Sequence, residues 1–154
     1  MTKSRVDYRK AAPDAFKAML ALEAGVHRTG LEPSLIELVK MRVSQINGCA
    51  YCLDMHSKDA RAAGETEQRL YLLSAWREAP FYTDRERAAL SWAEAVTLVA
   101  TNDLSDALYD EVRTQFDEKG MVELTLAIIA INGWNRLAIG FRAEVGGYVA
   151  KAAD

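Results

Sequence analysis

Apolar residues recur at helical spacing in one segment after another, and no stretch alternates apolar with polar residues as a half-buried strand would. Three prolines leave those segments largely unbroken. The pattern predicts an all-α chain of about seven helices. The first runs from Asp14, a plausible N-cap, to about Val26, with Phe16, Met19, Leu20 and Leu22 on its apolar side and Gly30 at its exit. The second opens at Pro33-Ser34, carries Leu35, Leu38, Val39, Arg42, Val43 and Ile46 on a mostly apolar face, and stops at Asn47-Gly48. Glu37, Lys40, Met41 and Ser44 lie on an adjoining stripe.

A third helix starts at or just after Cys49 and closes at Ala63-Gly64, and a fourth covers Thr66 to Trp76. Thr83 with Glu86 fits a capping box for a fifth. Ser105 caps a sixth that reaches Phe116, and Lys119-Gly120 separates it from the seventh, Met121 to about Arg142. That last helix is the most apolar and is expected to be the buried core helix. Two segments echo each other: Glu37-Leu38 leads to Ile46-Asn47-Gly48, and Glu123-Leu124 leads to Ile131-Asn132-Gly133.

The 154 residues fit one domain, 1–154. A net charge of -3, with both signs mixed along the chain, leaves no basic stripe for nucleic acid. The first seven residues have no apolar run behind their positive charges, unlike a secretory signal. Leu124 to Ile131 is too short to span a bilayer before Asn132 and Arg136 intervene. A cytoplasmic protein with no membrane or nucleic-acid partner is therefore expected.

Both cysteines of the chain sit in one C-x-x-C, Cys49-Ala50-Tyr51-Cys52, which in a reducing compartment points to redox or metal chemistry. On a helix Cys49, Cys52 and His56 are i, i+3 and i+7, within one narrow stripe. Two thiols one turn apart at a helix start are close enough to form a disulfide, and the helix N-terminus favours a thiolate there. The dipole favours Cys49 as that thiolate, while His56, four residues on, favours Cys52. Glu37 reaches the same stripe if the helices on either side of Asn47-Gly48 pack antiparallel, and a carboxylate there can relay a proton.

Glu37, Cys49, Cys52 and His56 at these separations resemble the alkyl hydroperoxidase D (AhpD) core of the carboxymuconolactone decarboxylase superfamily. The string from Lys40 to His56 and the later Asn132-Gly133-Trp134-Asn135-Arg136 are similar to that family. The core match spans about residues 31–77. The resemblance implies an all-α fold assembling as homotrimers or homohexamers. It also implies a metal-free peroxidase cycle with no bound cofactor and an external reductant, a dithiol protein or lipoyl-type partner. In that cycle Cys52 attacks a hydroperoxide, Cys49 resolves the sulfenic acid as a disulfide, and Glu37 and His56 form the proton relay. One position departs from the best-known members, which carry a second His just before the second cysteine; here that place is Tyr51.

Two rival functions stand beside this one. A decarboxylase of the superfamily's lactone-acid type is one, although such relatives generally lack the dithiol. A non-catalytic redox-responsive module is the other. Structural zinc wants four ligands, and only Cys49, Cys52 and His56 cluster here, with His27 remote in sequence. His27, beside Arg28 at a helix exit, reads as structural. Tyr51, Trp134 and Asn135 are candidates to line a substrate pocket, with core packing the more ordinary role for Trp134. Trp76 and Trp92 read as core or interface aromatics.

Overall fold

Local capping chemistry accounts for most of the helix ends. The computed structural model describes residues 3–150, and among them all regular structure is helical. Helices α1 (Tyr8–Ala11), α2 (Pro13–His27), α3 (Pro33–Asn47) and α4 (Ala50–Ala62) are followed by α5 (Glu67–Leu72) and a 3₁₀ turn, Leu73–Ala75. Then come α6 (Asp84–Thr97), α7 (Asp106–Arg113) and α8 (Glu118–Phe141). Pro13 and Pro33 stand at helix starts, where the N–H they lack has no helical partner. Thr83 and Glu86 form the reciprocal capping box at α6.

Three details depart from the sequence reading. The four-residue α1, capped by Asp7, is too short to leave a periodic signal. The Thr66–Trp76 helix is split, its last turn tightening to 3₁₀. Lys119-Gly120 does not separate α7 from α8: Asp117 is the N-cap, and Gly120 donates its N–H to Asp117 Oδ1 at 2.7 Å inside the first turn. Past Asn132-Gly133, α8 runs on for two more turns to Phe141, as the reading of one helix to about Arg142 expects. A Cβ on Gly133 would come within 2.9 Å of Met19 Cε, so the end of the Met19 side chain rests over the glycine.

Helix α8 is the centre of the bundle and packs against α2, α3 and α6. Its Leu124, Ala127, Ile128, Ala130 and Ile131 are at most 1% exposed and join Val39 and Val43 of α3 and Ala89 and Ala93 of α6 in the main core. At 24 residues α8 is long and apolar enough to cross a membrane, contrary to the reading based on Leu124–Ile131 alone. In this fold one side of it is covered by the three neighbouring helices, while Val122, Ile129 and Ile139 are exposed. A second core under α5 gathers Leu38, Met41, Leu70, Leu73 and Trp76. Trp76 and Trp92 are both buried.

The turn between α3 and α4 positions everything that follows. Gly48 takes a left-handed conformation (φ 68°), Cys49 N–H donates to Ser44 O at 3.0 Å, and Gly48 N–H to Gln45 O at 3.3 Å. This is a Schellman closure, which satisfies the last carbonyls of α3 and reverses the chain. Asn47 pins the corner to α8, donating to Asn135 Oδ1 at 2.8 Å and Asn132 Oδ1 at 3.0 Å. The echoing asparagines 47 and 132 thus meet in space.

Candidate functional site

Reversal at Gly48 makes Cys49 the N-cap of α4. Its Sγ accepts the backbone N–H of Cys52 at 3.3 Å, so the first sulfur takes the place a capping oxygen would fill. The two Cα atoms are 5.4 Å apart and the sulfurs face each other within one turn, inside the span of a disulfide. Each cysteine is 1% exposed. They differ in what they face: Cys52 lines a cavity of about 510 Å³, and Cys49 does not.

His56 is one turn beyond Cys52 and 4% exposed, and it lines the same cavity. Its Nδ1 lies 2.8 Å from Glu37 Oε2, so α3 and α4 do fold Glu37 back onto the cysteine stripe. Tyr51 and Trp134 also line the cavity. Tyr51 accepts a hydrogen bond from Arg9 Nη2 at 3.4 Å. Trp134 donates Nε1–H to Glu23 Oε2 at 2.9 Å and meets Phe16 edge-on. Asn135 is a correction. It is fully buried away from the cavity, where it accepts from Asn47 and donates to Ser44 Oγ at 3.1 Å, and so ties α8 to the α3 corner.

Three residues of the site carry little signal in the sequence. Lys40, only 2% exposed, is paired with Glu23 of α2, and its Nζ is 3.8 Å from Glu37 Oε1. Glu23 also accepts from Trp134, and its Oε1 lies 3.0 Å from His27 Nε2. His27 therefore belongs to the cavity wall and is more than a helix-exit residue. A lysine one turn from Glu37 on a helix otherwise rich in buried apolar side chains was the available clue. Burial alone would raise the Glu23 carboxyl. The Lys40 charge, hydrogen bonds from Lys40 and Trp134, and His27 together hold it below the ordinary carboxylate range.

Next to Glu37 and His56, Asp59 accepts from Tyr148 Oη at 2.7 Å, and burial together with this bond pushes the phenol up to about 12. Oxygens of Glu37 and Asp59 and a nitrogen of His56 lie within 4.8 Å of one another, a spacing that could hold a metal ion. All three already serve as hydrogen-bond partners, Glu37 to His56 and Asp59 to Tyr148. Among the described residues no buried side-chain nitrogen or oxygen lacks a partner.

Comparison with known proteins adds the family context. A model of the carboxymuconolactone decarboxylase family matches residues 13–95. The uncharacterized protein YdfG of Bacillus subtilis is 47% identical over 88% of this chain and 92% of its own. A protein of unknown function from Agrobacterium tumefaciens, described as a candidate antioxidant defence protein AhpD, has a similar solved structure. It matches with a TM-score of 0.91 at 48% identity, covering 95% of this chain and 100% of that one. The debrominase Bmp8, solved both alone and with 2,3,4-tribromopyrrole, shares the fold: TM-score 0.76, 20% identity, 90% of this chain and 74% of its own.

Proposed function

Because this chain belongs to the carboxymuconolactone decarboxylase family and is AhpD-like, we propose that it is a thiol-dependent peroxidase working through Cys49 and Cys52. The observation that carries the reading is the asymmetry of the two sulfurs. Cys52 opens on a cavity beside the Glu37–His56 pair, and Cys49 stands behind it, within disulfide reach.

In this reading ionised Glu37 accepts the Nδ1–H of His56, which fixes the tautomer and leaves Nε2 free to take the Cys52 proton. The Cys52 thiolate attacks the terminal oxygen of a hydroperoxide and the O–O bond breaks. Two electrons leave sulfur, Cys52 becomes a sulfenic acid, and the departing alkoxide takes up the proton held by His56. Cys49 then displaces water from the sulfenic acid to form the disulfide, its helix-start position favouring the thiolate. An external dithiol, a protein or lipoyl-type partner, returns both sulfurs to thiols. No bound cofactor or metal takes part, and a homotrimer or homohexamer is the working form.

The test is stoichiometric. Reduced protein receives one equivalent of cumene hydroperoxide, and free thiols are counted over time. Loss of two thiols per chain within seconds, with loss of the peroxide, is expected. Cys52→Ser should leave the peroxide unconsumed. Thiols that persist for hours would reject the reading. Light scattering on the same samples measures the assembly.

A further inference from the structure

The cavity over Cys52 is far larger than a peroxide group requires. Its volume of about 510 Å³ is that of a pocket for a drug-sized molecule, whereas a water-sized molecule takes only about 30 Å³. Away from the sulfur the wall is apolar and largely aromatic, built by Tyr8, Phe16, Leu20, Met55 and Trp134. Phe16 stands 5.9 Å from the Trp134 ring, edge-on, and 6.0 Å from the Tyr8 ring. Such a surface gains most by covering a bulky apolar body.

The charges of the lining are matched among themselves except at Asp59, whose partner is a neutral phenol, and at Arg9. Lys40 is shared by Glu23 and Glu37, His27 pairs with Glu23, His56 with Glu37, and Asp59 accepts from Tyr148. Arg9, on the exposed side of the cavity, has no carboxylate within ion-pair distance among the described residues. Its guanidinium reaches Tyr51 Oη and lies 5.7 Å from the centre of the Phe16 ring. A guanidinium offers five N–H donors in a planar fork suited to a carboxylate, and the two phenol oxygens beside it, those of Tyr51 and Tyr8, leave donors available.

We propose that the substrate is an organic hydroperoxide with a bulky apolar body and a carboxylate at the end remote from the peroxide, and that Arg9 anchors this carboxylate. This inference rests on the peroxidase reading and narrows it. Orientation follows from charge: the Cys52 thiolate and the Glu37 carboxylate repel an anion from the inner wall, and Arg9 draws it to the opening. The hydroperoxide end is thereby turned toward Cys52. Attack breaks the O–O bond, sulfur gives up two electrons, and the hydroxy acid leaves with the proton from His56.

The probe pair is cumene hydroperoxide carrying a para carboxylate and the methyl ester of the same molecule, which differ in charge and little in shape. At low ionic strength kcat/KM for the acid should exceed that for the ester about fivefold, and added salt should shrink the ratio. Arg9→Gln should bring the ratio to about one, and Arg9→Lys should restore part of it. Equal rates for acid and ester in the native protein, or a preference that survives Arg9→Gln, would overturn the proposal. If neither compound is consumed, the peroxidase reading fails, and the anchor is judged by calorimetry with 4-isopropylbenzoate and its methyl ester, which lack the peroxide. Tighter binding of the acid, lost in Arg9→Gln, then supports the anchor; equal binding overturns it.

Discussion

Glu37 and His56 are 19 residues apart in the chain, yet Oε2 of one lies 2.8 Å from Nδ1 of the other. The contact exists because Gly48 turns α4 back along α3, and in the proposed relay it sets the polarity of the imidazole next to Cys52. Glu37→Gln keeps the shape and removes the charge. It should slow oxidation of Cys52 by hydroperoxide by about 10²-fold near neutral pH. The deficit should narrow as pH rises, because thiol ionisation then depends less on a neighbouring base. Stopped-flow thiol oxidation across pH checks this, and a rate unchanged at pH 7 would remove Glu37 from the relay.

Gly48 has a single conformational task. Its φ of 68° suits glycine, and Gly48→Ala has open space around the new methyl, so only backbone strain changes. A loss of about 1 kcal/mol in urea unfolding is expected. An unchanged midpoint would mean that the turn tolerates an L side chain.

Lys40 is buried between two carboxylates, and Lys40→Met would leave both without their cation. Breaking such a pair from one side should cost about 3 kcal/mol. Adding Glu23→Gln to Lys40→Met should cost less than the sum of the two single losses, because the second change removes a charge already stranded. Strict additivity in a double-mutant cycle would show that the two side chains are not coupled.

The Glu23 carboxyl titrates below its ordinary value of 4.5 in the folded protein. The unfolded chain therefore takes up this proton first as pH falls. The stabilisation is fully present above about the ordinary carboxylate value and is lost as pH drops through the lowered one. Melting temperature measured from pH 6 down to pH 3 should fall less steeply in Glu23→Gln than in the native protein. Parallel curves would contradict the assignment.

The sequence carried the all-helical class, most helix ends and the Glu37, Cys49, Cys52, His56 cluster, for physical reasons that can be named. Apolar period marks a buried helix face, and Asn47-Gly48 marks a stop, so the antiparallel α3–α4 pair and its facing residues could be read from spacing. Glycine was the misleading signal elsewhere. Gly120 lies in a first turn, where N–H groups have no helical partner, so it does not interrupt α8. The Lys40–Glu23 pair was hidden because it joins α2 to α3, and nothing in either period says which faces of two helices meet. Asn135 looked like a pocket residue from its place beside Trp134. On a helix neighbouring residues point about 100° apart, and Asn135 points into the bundle.

The most direct test of the central claim is to trap the oxidised sulfur. Cys49→Ser, reduced and given one equivalent of hydroperoxide with dimedone present, should carry one dimedone adduct at Cys52 by peptide mass spectrometry. Cys52→Ser under the same conditions should carry none at Cys49. An adduct on Cys49 alone, or on neither sulfur while the thiols stay reduced, would contradict a Cys52-led peroxidase.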